Sequence, residues 1–323
     1  MNSVAVYAPN WLGDSVMALP AIADVRRGIG GATLTIVSRA GVAPFFQLVP
    51  GVDRVMPIEG GVGSDVDAVI LLPNSFHSAL TAWRAGVPER WGYRTDWRGP
   101  LLTKGIPVPG RLHQVEQYRH LVSALGFENG PAVPQLPIGA DIRAAGERQL
   151  RGAGWDGSRT VVALAPGSAY SGAKRWPAAH FAELASTLLD DGFDVVLVGG
   201  PGDVSVAREI ELSTAHRASP SVRVRSLMGT DLPTLAGILS HCRAVVSNDS
   251  GPMHLAAALG VRVTALFGPT DERLTRPAGA GHAVLTNPVW CRPCMLRQCP
   301  IDHRCLRRIP ATRAVAAVRQ ILQ

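Results

Sequence analysis

Short β-branched apolar runs, each closed by a Gly, Pro or Asn turn and followed by a helix-like stretch, recur along this chain. Val4–Ala8 precedes a helix from about Asp14, Leu34–Val37 a short helix around Val42–Val49, and Ala68–Leu72 one from about Phe76. In the second half Val161–Ala165 precedes the helix Ala178–Asp190, and Val195–Val198 precedes Asp203–Glu211. Val245–Val246 precedes Met253–Leu259, with Val263–Phe267 behind it. Strands separated by helices pair in parallel, because the crossover returns each strand to the same edge. About three such units fall on either side of the middle. The expected fold class is α/β: two Rossmann-like domains whose parallel sheets present their carboxyl-edge loops to a shared cleft.

The Gly- and Pro-rich stretch 126–159, with a helix near Ile142–Gln149 inside it, reads as the connection between them. The expected domains are therefore 1–155 and 156–310. A final segment, 311–323, has helical spacing of Val315, Val318, Ile321 and Leu322. At 323 residues and 46% hydrophobic content the chain is long and apolar enough for two cores. It has no apolar run of about 18 residues, as a membrane-spanning helix needs. The N-terminus reads as a first strand rather than a signal peptide, which points to the cytoplasm. The net charge of +7 favours anionic partners. Its densest clusters are Arg84–Arg98 and Arg292–Arg308, each equally open to a reading as solvated surface.

Six segments carry candidate chemistry. In Ser247–Asn248–Asp249–Ser250–Gly251–Pro252–Met253–His254 an apolar run meets a polar turn and then a small-residue helix. Asp249 or Ser250 is placed to cap that helix, whose N-terminus suits a phosphate. Gly251 permits close approach of a ligand, and His254 lies in the first turn. In Asn10–Pro20, Asp14 sits at a helix start, where a carboxylate stays ionised; a plain N-cap role is the alternative. Pro20 implies that this helix kinks or restarts.

Pro166–Pro177 is a Gly/Ser loop whose small residues expose backbone amides and hydroxyls and in which Lys174 supplies a point charge for a phosphate. It lacks the GxxxxGK[ST] spacing, and a surface loop is the bland reading. Gly199–Asp203 and Met228–Gly229 are weaker candidate pocket edges. Lastly, Cys291, Cys294, Cys299, His303 and Cys305 fall within a short span. This set leaves open a structural zinc site or reduced thiols bracing a loop. Cys242 stands apart as a core residue.

Taken together, Asn10–Pro20, Pro166–Pro177, Ser247–Gly260, Phe267–Thr270 and the Cys291–Cys305 cluster resemble the ADP-heptose:lipopolysaccharide heptosyltransferase family, nearest its heptosyltransferase II branch. The resemblance implies a GT-B fold, with an acceptor-binding domain over 1–155 and an ADP-sugar-binding domain over 156–310. The helix 311–323 is then expected to pack back on the first domain. The implied activity is an inverting, metal-independent transfer of L-glycero-D-manno-heptose from ADP-heptose to the heptosyl-Kdo-lipid A inner core, with no cofactor. It also implies peripheral contact with the cytoplasmic face of the inner membrane.

Under this resemblance Asp14 is the general base on the acceptor hydroxyl, and Lys174 neutralises the diphosphate leaving group in place of a metal. Ser250 and Gly251 bind the diphosphate, Ser168 lines the phosphate loop, Asp249 orients the sugar, and His254 donates to a phosphate or to the sugar. Met228 and Gly229 contact the adenine. Arg90, Arg94 and Arg98 are assigned, on charge alone, to acceptor phosphates or Kdo carboxylates.

Other classes fare worse. A transferase using another nucleotide sugar or glycan acceptor stays open, since pocket walls are not legible here. Hydride transfer is disfavoured because no strand is followed by G-x-G-x-x-G with an acidic residue about 20 positions on. A zinc-braced nucleic-acid binder is disfavoured because the basic residues are neither gathered on one helix nor interleaved with aromatics, so no nucleic-acid partner is expected.

Overall fold

The computed structural model describes residues 1–60, 65–169, 171–215 and 224–323. The chain divides into two compact units, Met1–Pro137 and Ile138–Gln323.

The first unit runs β1 (Ser3–Tyr7), α1 (Leu12–Met17), α2 (Leu19–Gly28), β2 (Thr33–Ser38), α3 (Ala43–Phe46), β3 (Arg54–Pro57), β4 (Ala68–Leu71), α4 (Phe76–Arg84), β5 (Glu89–Tyr93), β6 (Lys104–Ile106) and α5 (Gln114–Ala124). Its parallel six-stranded sheet has the order β3-β2-β1-β4-β5-β6. β1 and β4 are buried almost throughout, as expected of strands covered on both faces. The expected break near Pro20 is present: α1 stops at Met17, and α2 restarts with Pro20 in its first turn, where a missing N–H costs nothing.

The second unit runs α6 (Ala140–Gly152), β7 (Val161–Ala165), α7 (Ala178–Asp190), β8 (Asp194–Gly199), α8 (Val204–Thr214), β9 (Val224–Met228), α9 (Leu232–Ser240), β10 (Cys242–Asn248), α10 (Gly251–Ala258), β11 (Arg262–Phe267), α11 (Glu272–Thr275), β12 (Ala283–Thr286), α12 (Arg304–Arg307) and α13 (Ala311–Leu322). Its sheet is again parallel and six-stranded, in the order β12-β11-β10-β7-β8-β9. Counted from its own first strand, this order repeats that of the first unit. Each sheet therefore has one switch point, where the winding reverses: between β1 and β4, and between β7 and β10. Loops diverge there and leave a crevice for a ligand.

Two expectations about domain limits are corrected. The division falls at Pro137 rather than at 155, because α6 belongs to the second unit. It packs on α9 through a glycine pair: a Cβ on Gly146 would lie 2.1 Å from the Gly237 carbonyl carbon, and one on Gly237 would lie 2.2 Å from the Ile142 oxygen. The last helix falls within the second unit. Ala314, Val315, Val318 and Ile321 of α13 enter the second unit's core with Leu184, Leu188 and Leu266, because its apolar stripe matches the face left open by β10–β12 and α7.

Candidate active site

In the second unit the candidate residues gather at the switch point. Lys174 comes from the loop after β7 and Asp249 from the turn after β10. The Lys174 ammonium lies 2.7 Å from Asp249 Oδ2, and the Thr270 hydroxyl donates to the same oxygen at 2.7 Å. Asp249 is buried and Lys174 largely so. The ammonium is thereby fixed at the strand edge rather than sweeping solvent.

Asn248, fully buried at the end of β10, sets the loop. Its Nδ2 donates to Pro166 O at 2.7 Å and Gly167 O at 3.3 Å, while its Oδ1 accepts from Trp176 N–H at 3.0 Å. One amide thus ties both ends of the loop that carries Ser168 and Lys174. Trp176 itself is buried, donates its indole N–H to Ile309 O at 2.8 Å, and meets Phe181 edge-on at 4.8 Å. Tyr170, within the same motif, lies outside the described residues.

The helix after the turn differs in one detail from expectation. Ser250 occupies the N-cap of α10, but its side chain accepts no helix amide; its Oγ lies 3.2 Å from Ser247 Oγ instead. Pro252 brings no N–H, and Met253 N–H is taken by Ser250 O at 3.2 Å. The buried Ser247 hydroxyl donates to Asn248 O at 2.7 Å, and the Gly251 amide lies at the positive end of the helix dipole, where an anion is favoured. His254 is buried in the first turn of α10.

Asp203 joins the β7 and β8 edges. Its carboxylate accepts from Gly200 N–H at 3.1 Å and from Arg175 at 3.0 Å. It fits only because Gly167 and Gly199 lack side chains: their Cβ atoms would stand 2.0 Å and 3.0 Å from Asp203 Oδ2. Ser168 is buried on this side, and its carbonyl accepts from Arg175 Nη2 at 3.5 Å. Gly229 follows β9 with a φ of +79° and donates to Gly199 O at 2.9 Å, which brings Met228 and Gly229 beside the end of β8.

The cysteine segment brackets these loops through its backbone and one arginine. Ser171 Oγ and Ala173 N–H donate to Arg297 O at 2.7 Å and 3.3 Å. Arg292 donates to Gly268 O at 2.8 Å, Thr270 O at 3.1 Å and Glu272 Oε2 at 2.6 Å. The four thiols are free, and no group of three or more His, Cys, Asp or Glu side chains has a metal-holding arrangement among the described residues. His303 N–H donates to Cys299 Sγ at 3.3 Å. Burial pushes the Cys305 thiol up, and it pushes Cys242, a core residue of β10, up to about 12.

In the first unit Asp14 lies in the first turn of α1, directly after β1 and so beside that sheet's switch point. α5 packs against α1, and its buried Tyr118 feels the Asp14 charge; burial first, then that charge, raises the phenol well above its ordinary range.

Of the three arginines assigned to the acceptor, two are otherwise engaged. The fully buried Arg98 guanidinium donates to Tyr93 O at 2.8 Å, Ser78 Oγ at 3.2 Å, Asn74 Oδ1 at 3.4 Å and the Pro73 carbonyl. Desolvation pulls its pKa down to about 10. Arg90 donates to Leu101 O at 2.7 Å and to Val87 O at 2.5 Å and Pro88 O at 3.1 Å. Both brace the sheet edge: the buried Arg98 guanidinium must satisfy its donors within the fold, and the half-buried Arg90 is held by three carbonyls. Arg94 alone of the three is exposed.

Sequence reasoning passed over Asn248, Asp203, Thr270 and Arg292 as site residues. All four stand inside segments already singled out, but nothing local gives Asp203 and Arg292 their roles, since each acts on loops distant in sequence.

Two successive six-stranded parallel units, with a pinned ammonium and a serine-glycine helix start at the second switch point, define a GT-B-class sugar transferase. Residues 62–304 match glycosyltransferase family 9 (heptosyltransferase), and the chain belongs to that family. It is 30% identical over 304 residues to the lipopolysaccharide heptosyltransferase 2 of Escherichia coli K12, covering 85% of each chain. It is 28% identical to the lipopolysaccharide heptosyltransferase 1 of Pseudomonas aeruginosa, covering 89% of this chain and 84% of that one. The solved E. coli ADP-heptose lipopolysaccharide heptosyltransferase II superposes with a TM-score of 0.83 at 28% identity, over 99% of this chain and 98% of that one.

Proposed function

We propose that this glycosyltransferase moves L-glycero-D-manno-heptose from ADP-heptose to the heptose of a heptosyl-Kdo-lipid A acceptor in lipopolysaccharide core assembly, with inversion and without a metal. The observation that carries the reading is the Lys174–Asp249–Thr270 constellation at the second unit's switch point. A resident ammonium there supplies the positive charge that a departing diphosphate requires, the task a divalent cation performs in other transferases. Gly251 and the Ser250 hydroxyl add donors at the helix start, and Ser168 lines the opposing loop. Met228 and Gly229, beside the end of β8, suit the adenine edge. Asp249 holds Lys174 and, with the second lone pairs of its carboxylate, can accept from a sugar hydroxyl.

In this reading Asp14 takes the proton from the attacking acceptor hydroxyl. An inverting displacement forms the new C–O bond as the sugar–phosphate C–O bond breaks, so one base on the acceptor side and one charge sink at the diphosphate are sufficient. Arg94 is the acceptor-side cation, with Arg90 and Arg98 serving as its scaffold rather than as ligands. No described helix is long and apolar enough to cross a membrane. In this reading a lipid-linked acceptor is met at a membrane surface. That the relatives above are named as lipopolysaccharide heptosyltransferases 1 and 2 supports the donor and the acceptor class.

The test is a product-analysed assay with purified Kdo-lipid A bearing one heptose and with ADP-heptose, ADP-glucose, GDP-mannose and UDP-N-acetylglucosamine as competing donors. Transfer from ADP-heptose with an inverted anomeric centre, unchanged by EDTA, is expected. Preference for a uridine or guanosine donor would overturn the reading.

A further inference from the structure

The amino edge of the second unit's sheet, opposite the end that carries Lys174 and Asp249, holds a site that the transfer chemistry does not use. Beside the first residues of β7 and β10 lies an open pocket of about 350 Å³, lined by Trp155, Ser158, Arg159, His241 and Arg243 among others. Its lining contains two arginines and no acidic residue. β7 is five residues long, so the pocket lies about 16 Å from the edge that carries Lys174.

The backbone around the pocket is held in place. The turn before β7 bends at Gly154 and Gly157, with φ of +95° and +88°. It closes on itself: the Trp155 indole N–H donates to Arg159 O at 3.0 Å, and Asp156 Oδ1 accepts from Ser158 N–H at 2.8 Å and Ser158 Oγ at 2.6 Å. On the β10 side His241 Nε2–H donates to Arg143 O at 2.9 Å, and its ring meets that of Trp155 at 6.2 Å. Arg243 stands on a β-bulge. Pairing steps from Cys242 opposite Val161 to Ala244 opposite Val162, which leaves Arg243 with no partner on β7. Such a bulge re-aims a side chain out of the ladder. Arg243 is exposed and Arg159 half-buried, and neither guanidinium makes a hydrogen bond or ion pair among the described residues. Elsewhere in this unit Arg225 pairs with Asp194 and Arg319 with Asp191. Two like charges in one pocket repel, and an anion between them removes that cost.

We propose that this pocket binds a small phosphomonoester dianion, with Arg159 and Arg243 as its charge contacts. The forked donors of a guanidinium match phosphate oxygens two at a time, and two guanidiniums balance a dianion. The volume is at the small end for ligand pockets, which suits a phosphorylated monosaccharide rather than a whole nucleotide sugar. The site stands independently of the transfer reading, because the pocket and Lys174 lie at opposite ends of the strands.

The test is calorimetric titration of the full chain with glucose 6-phosphate and with inorganic phosphate, at an ionic strength held constant with chloride. A dissociation constant on the order of a millimolar is expected from two charge-assisted contacts, with glucose 6-phosphate bound at least as tightly as phosphate. The double variant Arg159→Gln with Arg243→Gln is expected to weaken both on the order of tenfold or more. Arg208→Gln serves as the control: Arg208 is an exposed arginine of α8 that does not line the pocket, and its variant is expected to bind as the parent does. Saturating ADP occupies the Lys174 edge and should leave the binding unchanged. Neither arginine side chain holds another part of the fold, so the double variant should keep the parent's unfolding midpoint without ligand, and glucose 6-phosphate should raise the midpoint of the parent alone. No binding by the parent at concentrations on the order of tens of millimolar, phosphate binding without glucose 6-phosphate binding, equal affinity in the double variant, an equal loss in Arg208→Gln, or loss of binding under ADP would each overturn the proposal. If ADP itself does not bind, the transfer reading fails, while the arginine variants still decide the pocket.

Discussion

Replacing Lys174 by Met and Asp249 by Asn, singly and together, probes the contact on which the proposed chemistry depends. The ammonium and carboxylate are 2.7 Å apart. With an effective dielectric near 20 their attraction is about 6 kcal/mol. Both side chains are mostly out of water, 16% and 5% exposed, so desolvation takes back several kcal/mol. A net coupling of about 2–3 kcal/mol remains. Each single variant should lose about 2–4 kcal/mol of unfolding free energy, because each leaves a buried partner unpaired. The double variant should lose about 2–3 kcal/mol less than the sum of the two. Denaturant unfolding followed by circular dichroism measures these differences. Calorimetric titration with ADP separates structure from function. Lys174→Met should weaken ADP on the order of 10- to 150-fold, the worth of one charge-assisted hydrogen bond. Asp249→Asn should leave ADP affinity equal or higher, since it removes a negative charge near the phosphates. A coupling under about 0.5 kcal/mol would refute the pairing, and unaltered ADP affinity in Lys174→Met would refute the charge-sink role.

Four further outcomes are expected. Asp14→Ala should abolish transfer while leaving ADP binding by titration intact; full turnover would remove it as the base. Arg98→Met should destabilise the first unit by about 2–4 kcal/mol, because it strands buried carbonyls after β4 and β5; a midpoint equal to the parent's contradicts its bracing role. Gly146→Ala should cost about 3 kcal/mol or more by forcing α6 off the α9 backbone, and a stable variant would show that the two helices tolerate separation. His282 is held below its ordinary range by desolvation, and its Nδ1 accepts Val263 N–H at 3.2 Å. The neutral ring is therefore favoured in the folded state. Its contribution is complete above the unfolded-state pKa, about 6.5, and is lost as pH falls below that toward the lower folded value. Stability curves of the parent and His282→Gln should run parallel above about pH 7 and diverge as pH falls below about 6.5; parallel curves throughout would exclude the linkage.

The strands and helices were legible because each is a local pattern. Val161–Ala165 and Ala178–Asp190 fall where β-branched runs, turns and helical spacing put them. The segments Ser247–His254 and Pro166–Pro177 were legible as an anion-suited turn and a basic loop, since caps, glycines and charges act within a few residues. The last helix misled for the opposite reason. Its apolar stripe was plain, but a stripe does not say which sheet it will cover, and β10–β12 with α7 offered the vacant face. The arginines of 84–98 likewise showed charge without direction; burial turned Arg98 inward to five polar partners and left Arg94 in solvent.

What the sequence determined by itself was the parallel α/β class, the two-unit division in outline and the residue types at each turn, because those follow from periodicity and short-range sterics. Only the tertiary structure decided that Lys174 and Asp249, 75 positions apart, share an oxygen with Thr270, that Asn248 ties the intervening loop, and that α6 and α13 belong to the second unit. Strand order and the packing of one element on another make those contacts, and neither is written in any local stretch of the chain.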